Sequence, residues 1–445
     1  MNFITRTHPP SLSRLATNSF DRLILTTAKS KLGLPPLDEA LVLQLHLPLK
    51  QRGFGLLLSS ISAPAAYLSS VATASPAICK TLNQGSEGIH PSLLLTDEQT
   101  AAEKKRENSK SLPLASHIDN SITSLRSLLF PPSPPSLPNS NRDFLSLHLQ
   151  PGKSGKGLQK RYMYLLHPHA SLRAASLLRH NTERLSSFLA AGGKYSHLWI
   201  ACWPTSPELS LTDVEYKIAA AIRTGISPIQ SPITRCQCGE ALSDSNSFHF
   251  LYCKLLKAKA ITSRHDRVVR TLANHALPHV ANTKIEPHSL LDRKRADLHI
   301  EFNTRNPLIT DVTIISHMAP THSQHLLTKK LLSTIDSLDH KAFGKQASKA
   351  INQLLRTSEM SKENKHSADA KARGGEFIPF VMSASGGWSG SSLNFIKALD
   401  RGADYDEQDL QVPFLRGIRR EVAMQIQRGN ARIVLDGTRL ASASL

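Results

Sequence analysis

Residues 296–315 read ADLHIEFNTRNPLITDVTII, and this stretch decides the fold class. Apolar and polar residues alternate across 296–302, with the period of two that is typical of a half-buried strand. A second apolar run covers 308–315, and residues 303–307 between the runs have the composition of a turn. The stretch therefore predicts two neighbouring strands joined by a short loop.

The flanking sequence extends these strands into a small sheet with helices around it. Residues 264–278 carry apolar side chains on one helical face, and 283–286 is predicted to be a further strand. A helical stretch follows at 324–357, and 377–382 is a fourth strand candidate, in which Pro379 favours an edge or a bulge. The order helix, three strands, helix, strand predicts an α+β fold with a mixed sheet.

The charge of the chain restricts its partners. Its 445 residues include 54 Lys and Arg against 35 Asp and Glu, a formal net charge of +19. This excess favours a polyanionic partner, most commonly nucleic acid, although an acidic membrane would satisfy charge alone. The longest uncharged stretch, 53–79, is rich in Ser and holds two prolines, which favours core helices over a membrane span. We therefore expect no membrane partner.

The cysteine content indicates a reducing compartment. Five cysteines are too few and too unevenly spaced for a disulfide framework. The first residues also lack the pattern of a secretory signal. We expect a protein that is not secreted.

Composition shifts divide the chain into six predicted regions. A Pro/Ser-rich segment with a charge run separates two helical parts, and we expect parts of 96–142 to be disordered. The predicted regions are a helical region (1–95), a linker (96–156), a helical connector (157–230), a cysteine segment (231–262), the mixed-sheet core (263–402) and a basic amphipathic helix with a tail (403–445).

Three cysteines and a histidine form a candidate zinc site. Cys236, Cys238, His249 and Cys253 give the spacing C-x-C-x10-H-x3-C. Zinc favours four tetrahedral nitrogen and sulfur ligands, and one helical turn could present both His249 and Cys253. The alternative is two exposed thiols, one buried cysteine and an ordinary histidine, because C-x-C is a weaker signal than C-x-x-C.

Two aspartates form a candidate magnesium site. Asp297 begins one predicted strand and Asp311 lies within the next, so the two can meet at one end of the sheet. Carboxylates are the ligands that Mg²⁺ prefers, and a metal held there could activate water and polarise a phosphodiester. The surrounding segment 254–297 holds ten Lys and Arg against four acids. The alternative is that both acids are solvent-facing polar positions.

His265, at the start of the predicted helix 264–278, leaves several roles open. It could act as a base, a phosphate ligand or a metal ligand. The sequence is equally compatible with an ordinary histidine at the start of a helix. Glu286 ends a predicted strand and could approach the same metal or only cap the sheet edge.

Taken together, an ordered series of motifs resembles the C-terminal part of non-LTR retrotransposon reverse transcriptase polyproteins. The likeness is strongest to those that carry a restriction-like endonuclease of the PD-(D/E)-x-K superfamily. The matching elements are, in order, Pro48–Leu56, Ala63–Tyr67, Cys236, Cys238, His249, Cys253, Arg264-His265 with Val268, Glu286-Pro287, Arg295-Ala296-Asp297, Asp311-Val312-Thr313, Glu376–Val381, Gly386-Gly387 and Arg428–Ala431.

This resemblance implies a zinc knuckle followed by a restriction-endonuclease-like core that nicks target DNA. It makes Asp297 and Asp311 the ligands of a catalytic Mg²⁺. The superfamily's catalytic lysine is replaced by Thr313, and in these elements the lysine moves to the following helix. Lys365 fits the family spacing towards Glu376-Phe377 better than the other candidates, Lys329 and Lys330. The site is then completed by phosphate-binding residues, namely Arg264, His265, Arg293, Lys294 and Arg295.

The same resemblance sets the expected partner and location. DNA is the expected partner, with RNA as a second choice, and the nucleus is the expected location, otherwise the cytoplasm. A polymerase motif with paired aspartates is missing, so the chain is predicted to be a truncated element. Two alternatives remain: a catalytically inactive nucleic-acid-binding remnant, or a fragment that does not fold well.

Overall fold

A computed structural model describes residues 2–84, 114–128, 157–229, 233–243, 246–287, 295–402 and 411–443. The chain forms two compact units, one of residues 1–28 and 55–173, the other of residues 29–54 and 174–445. The fold is mixed α+β with small mixed sheets, as predicted. The compact units cut across the predicted regions, because 29–54 belongs with the sheet-bearing part and 157–173 with the first unit.

Helices make up most of the described chain. In chain order they are α1 (Asn2–Thr7), α2 (Pro10–Leu32), α3 (Glu39–His46), α4 (Ser59–Gln84), α5 (Leu114–Leu128), α6 (Leu158–Leu177), α7 (Thr182–Ala190), α8 (Leu198–Ala201), α9 (Asp213–Thr224), α10 (Lys254–Leu256), α11 (Thr262–Ala276), α12 (Pro320–Leu326), α13 (Lys329–Asp336), α14 (His340–Ala372), α15 (Gly390–Gly402) and α16 (Gln411–Ser442). A π-helical turn, Lys257–Ile261, joins α10 to α11. Among the described residues, no helix has the length and hydropathy needed to cross a bilayer.

The first unit has a helical core. Leu68 of α4 packs with Ile118 and Leu125 of α5 and with Leu166 of α6, and all four side chains are buried. Helix α5 lies inside the predicted linker, where a stripe of apolar residues lets the segment pack. The rest of the segment predicted to contain disorder lies outside the described residues.

The described residues of the second unit form six short strands in two sheets. They are β1 (Asn282–Ile285), β2 (Leu298–Glu301), β3 (Leu308–Thr310), β4 (Val312–Ile315), β5 (Glu376–Phe377) and β6 (Phe380–Ser383). One sheet has the order β1-β2-β3-β5, with β1, β2 and β3 antiparallel and β5 parallel to β3. The other pairs β4 with β6 in parallel. The four-stranded sheet is mixed, as the sequence predicts.

Two predicted strands are each divided in two. The run 308–315 breaks at Asp311, and the run 377–382 breaks at Ile378-Pro379. Hydrogen bonds nevertheless continue across the breaks, because Ile378 N donates to Ile309 O at 2.9 Å and Phe380 N to Asp311 O at 3.0 Å. Asp311 therefore lies at the junction of the two sheets.

The sheets are covered on both faces. Leu298 and Ile300 pack on Val268 and Leu272 of α11, in a core that also includes residues of α15 and α16. A smaller apolar cluster joins Val381 to helix α14. Residues from both helices can therefore reach the end of the sheet at which Asp297 and Asp311 lie.

The predicted helical stretch 324–357 is three helices rather than one. Thr328 caps α13 by accepting a hydrogen bond from the Leu331 N–H, and Asp339 caps α14 by accepting from Lys341 and Ala342. Side chains that bind free backbone N–H groups start new helices. The last of the three, α14, continues to Ala372 and carries residues of the candidate site.

Candidate carboxylate site and metal centre

Asp297 and Asp311 lie at the end of the β2–β3 ladder. The pairing register ends with Leu298 opposite Thr310. Asp297 N donates to Thr310 O at 3.0 Å, so Asp297 also lies beside Thr310 instead of continuing the register. The Asp297 side chain reaches Val312, the residue that follows Asp311, through a hydrogen bond from Val312 N. These two bonds make neighbours of two acids that are fourteen positions apart in the chain.

The carboxylate of Asp297 is held by β4 and α11. Its Oδ2 accepts a hydrogen bond from Val312 N at 2.6 Å and lies 3.0 Å from His265 Nε2. The same imidazole nitrogen lies 3.2 Å from Val312 O. The side chain of Asp297 is 16% exposed, so solvent reaches it only partly.

His265 carries the positive charge on this side of the site. Burial alone would lower the pKa of His265, but hydrogen bonds to Asp297 and Asp266 and their charges raise it to about 9. The imidazole is therefore protonated at neutral pH and neutralises the Asp297 carboxylate. Of the roles left open by the sequence, the structure gives His265 a direct contact with a predicted metal ligand.

Asp311 is buried and has two partners on α14. Lys362 Nζ lies 2.6 Å from Asp311 Oδ2, and His366 Nε2 lies 3.3 Å from Oδ1. Burial raises the pKa of Asp311, but the bonds and charges of His366 and Lys362 outweigh it and keep the pKa below its usual value. Asp311 is thus ionised in the folded chain, with its charge compensated from one helix.

The lysine beside the carboxylates is Lys362, which sequence reasoning missed. The three lysines considered from the sequence, Lys329, Lys330 and Lys365, are exposed, and none forms a described ion pair with Asp311. The available signal was the spacing of Lys362 and His366, since residues four apart share one helical face. His366 is buried, and its ring packs on Phe377 at a centroid distance of 5.3 Å.

The predicted phosphate-binding residues do not all face solvent. Arg295 is exposed beside the site, whereas Arg293 and Lys294 lie outside the described residues. Glu286, which sequence reasoning left as a ligand or a cap, is exposed and has a left-handed backbone with φ of 49°. Its N–H donates to Asp297 O at 2.9 Å, so it joins the site through its backbone.

Arg264, which is predicted to contact a phosphate, lies inside the fold instead. Its side chain is buried in the contact between α11 and α16, where Nη1 donates to Asn430 Oδ1 at 2.6 Å. A Cβ placed on Gly429 would lie 2.3 Å from Arg264 Cγ, so the glycine makes room for the arginine. Burial lowers the pKa of Arg264 to about 10, and the guanidinium remains charged at neutral pH.

The four predicted zinc ligands converge. The ligand atoms of Cys236, Cys238, His249 and Cys253 all lie within 4.8 Å of one another. Cys236 Sγ and Cys253 Sγ are 3.7 Å apart, and Cys238 Sγ lies 3.0 Å from His249 Nε2. Zn–S bonds of about 2.3 Å in a tetrahedral site place two sulfurs about 3.8 Å apart. This Cys–His cluster could therefore hold a metal ion such as zinc.

Local backbone geometry builds the Cys–His cluster from two turns. Cys236 N donates to Glu240 O at 2.8 Å, and Gly239 has the positive φ of 90° that the first turn requires. The second turn, His249–Tyr252, is a 3-10 helix rather than the predicted α-helical turn. His249 begins this turn and Cys253 directly follows it, so the turn brings the two ligands together.

The chemistry of the Cys–His cluster suits a closed metal site. Burial raises the pKa of the Cys236 thiol to about 12, which keeps the thiol neutral unless a cation binds. Both Cys236 and Cys253 are also part of an apolar cluster with Phe248 and Phe250. A metal ion here would join two turns to the surrounding core.

Comparison of the chain with models of known protein families and with curated proteins gives no match. Function is therefore proposed from the geometry of the carboxylate site and of the Cys–His cluster, together with the sequence motifs.

Proposed function

We propose that the chain is a retrotransposon-derived, metal-dependent DNA endonuclease that hydrolyses a phosphodiester bond and nicks its target. The single observation that carries this proposal is the hydrogen bond from Val312 N to Asp297 Oδ2, which holds the Asp297 carboxylate beside the residue that follows Asp311. The order of the sequence motifs supports the retrotransposon origin, and the net charge of +19 supports DNA as the partner. The resemblance to retrotransposon proteins makes the nucleus the proposed location.

Two carboxylates at neighbouring positions fit a hard divalent cation. Asp297 and Asp311 would hold Mg²⁺ through oxygen, the donor atom that this ion prefers. When bound, Mg²⁺ would polarise the phosphodiester and help a water molecule to ionise. The two acids approach this position from adjacent strands, and each already has a cationic partner.

Lys362 and His265 would supply charge to the phosphate from the two sides of the site. Lys362 Nζ lies 2.6 Å from Asp311 Oδ2, close enough to orient the attacking water or to stabilise the negative charge that develops on the phosphate. His265, beside Asp297, would hold a phosphate oxygen in the same way. These residues replace the assignments to Lys365 and Arg264.

The Cys–His cluster would be a structural zinc knuckle. Its four protein ligands leave no coordination position for substrate, which is typical of structural rather than catalytic zinc. The cluster shares apolar residues with the surrounding core, so the ion would fix this segment to that core.

A nicking assay tests the proposed activity. Purified chain is incubated with supercoiled plasmid and Mg²⁺, and conversion to the open circle is measured for the wild type and for the Asp297→Asn and Asp311→Asn variants. We expect nicking by the wild type and a loss of about 10²-fold or more in each variant. Glu301→Gln is the matched control, because Glu301 lies on β2 but pairs with Lys284 at 2.7 Å, away from the site.

The same assay separates the second candidate, an inactive nucleic-acid-binding remnant. That candidate is favoured because Lys362 and His366 of α14 already pair with the Asp311 carboxylate. Salt-sensitive DNA binding with no Mg²⁺-dependent nicking would support the remnant and contradict the endonuclease. Nicking that survives Asp311→Asn would also contradict the proposed site.

A further inference from the structure

Four arginines that the carboxylate site does not use lie beside the crossing of α11 and α16. Arg267 and Arg270 belong to α11, and Arg428 and Arg432 belong to α16. We refer to these four residues as the arginine patch. Residues three or four apart share a helical face, so each helix contributes one pair.

Two contacts fix how the helices cross. Arg264 bonds to Asn430 at 2.6 Å, and His275 pairs with Glu421 at 2.7 Å, so α11 and α16 run antiparallel. Arg267 is one turn from Arg264, and Arg428 and Arg432 flank Asn430. Arg267 lies within electrostatic range of Arg428, Arg432 and Arg270, so the two pairs line neighbouring helices, which are typically about 8–10 Å apart.

The charges of the arginine patch repel one another. Burial lowers the pKa of Arg267, and the positive charges of Arg432, Arg428 and Arg270 lower it further, while Glu215 has the opposite effect. An anion placed over the patch would relieve this repulsion.

Neighbouring groups compensate the patch only in part. Asp436 carboxylate lies 4.0 Å from Arg432 Nε, with both side chains about half exposed. Arg428 donates to the carbonyls of Pro207 and Ser210, which fixes its guanidinium without neutralising it. Glu208 lies within electrostatic range of Arg428, so together with Glu215 and Asp436 three acids face four arginines.

The arginine patch is separate from the carboxylate site. Successive helical residues are rotated by about 100°, so Arg267 and Arg270 lie on the side of α11 opposite His265. His265 faces Asp297 and the sheet, whereas Arg270 and Arg432 are exposed. Substitutions in the patch can therefore be made without touching the proposed metal ligands.

We propose that the arginine patch binds the phosphate backbone of duplex DNA and forms a second contact surface outside the carboxylate site. This proposal deepens the proposed function and rests on it for the choice of DNA. Guanidinium groups match phosphate oxygens with two parallel hydrogen bonds, and two adjacent helices present them as a group. Duplex DNA carries one charge per about 1.7 Å of its axis, so such a group can meet several phosphates at once.

A binding measurement tests the patch. Fluorescence anisotropy of a labelled duplex of about 30 base pairs is followed between about 50 and 200 mM salt, without added Mg²⁺. We expect the double variant Arg270→Gln/Arg432→Gln to bind at least about tenfold more weakly and to reduce the slope of log K against log salt by about 2. Both side chains are exposed, and an unchanged thermal unfolding curve would show that the variant folds.

The matched control removes the same charge elsewhere. Lys341 and Lys345 are exposed on α14, so Lys341→Gln/Lys345→Gln lowers the net charge equally. Equal weakening by both double variants would overturn the proposal, because net charge alone would then explain binding. Tighter binding of a single-stranded RNA of the same length would overturn the choice of duplex DNA.

The two proposals fail independently. Binding that depends on the patch, in a chain that does not nick plasmid, would keep the surface and reject the endonuclease. If the wild-type chain nicks plasmid and Arg270→Gln/Arg432→Gln leaves the DNA affinity unchanged, the endonuclease is kept and the surface is rejected.

Discussion

Lys362 Nζ lies 2.6 Å from Asp311 Oδ2, and this ion pair joins helix α14 to the break between β3 and β4. The side chain of Asp311 is 6% exposed, so the carboxylate depends on α14 for its charge partners. Removing one partner of a buried pair leaves an uncompensated charge. The contact therefore affects both the proposed chemistry and the stability of the sheet junction.

Replacing Lys362 is predicted to impair nicking more than replacing Lys365. Lys362→Met should lower the single-turnover rate by about 10²–10³-fold, because a preorganised positive charge next to the scissile phosphate is lost. Lys365→Met removes an exposed lysine three residues away and should change the rate by less than about threefold. Rates are measured on supercoiled plasmid at saturating Mg²⁺. If Lys365→Met were the more damaging variant, the assignment to Lys362 would be wrong.

Loss of one cysteine ligand is predicted to release metal and destabilise the fold. Cys253→Ser should abolish stoichiometric zinc and lower the Tm by about 6–12 °C, taking about 3 kcal/mol for the lost metal and 2–4 °C per kcal/mol. Metal content is measured by elemental analysis and unfolding by calorimetry. Cys202→Ser is the control, since Cys202 lies outside the Cys–His cluster. A wild-type chain that retains no zinc after purification in its presence would contradict the assignment.

Two glycine substitutions are predicted to have opposite effects on stability. Gly429→Ala should destabilise the fold by about 1–3 kcal/mol, because the new Cβ would meet Arg264 Cγ at 2.3 Å. Gly344→Ala should stabilise it by about 0.5–1 kcal/mol, because no atom lies within 4 Å of the new Cβ on helix α14. Urea unfolding at neutral pH measures both variants. Similar effects from the two substitutions would contradict the close contact between α11 and α16.

The stability of the fold is predicted to fall in mild acid because of His317. Burial, followed by the charge of His322, lowers the pKa of His317 from 6.5 to about 3. Between these two pH values the unfolded chain binds a proton that the folded chain excludes, so stability is intact above about pH 6.5 and falls as the pH decreases. The contribution from this residue is about 2 kcal/mol between pH 6.5 and pH 5.

His317→Leu should flatten this pH dependence. Neither ring nitrogen of His317 has a hydrogen-bond partner among the described residues, so the substitution removes no such bond at neutral pH. Urea unfolding at pH 7 and pH 5 measures the effect, and His325→Leu, at an exposed position on α12, is the control. Burial also lowers the pKa of His197 to about 4, so the comparison is between chains: equal losses of stability from pH 7 to pH 5 in the wild type and in His317→Leu would contradict the role of His317.

Patterns within short segments predicted much of the sheet and of the Cys–His cluster. The alternation across 296–302 and the apolar run 308–315 matched strands, although Asp311 divides the second run. The four ligands of the cluster lie within eighteen residues, so two local turns are enough to bring them together. Helix α5 was missed because its flanks have the composition of a linker.

The tertiary structure changed the roles of the basic residues. Arg264 and His265 are adjacent in sequence, yet one is buried against Asn430 and the other contacts Asp297, because consecutive helical residues point about 100° apart. Lys362 and Lys365 differ in the same way, and only Lys362 pairs with Asp311. A sequence shows the type of each residue. The direction of its side chain depends on the helix that carries the residue and on the surface against which that helix packs.

The sequence alone determined the α+β class, the basic character, the ligand set of the Cys–His cluster and the two aspartates of the sheet, because each follows from composition or from spacing over a few residues. Only the tertiary structure decided which lysine pairs with Asp311. It also decided that Arg264 is buried between α11 and α16, and that four arginines of these two helices form the arginine patch. Those contacts join residues from about 50 to 170 positions apart. They arise from the packing of whole helices against the sheet and against each other, which no local pattern specifies.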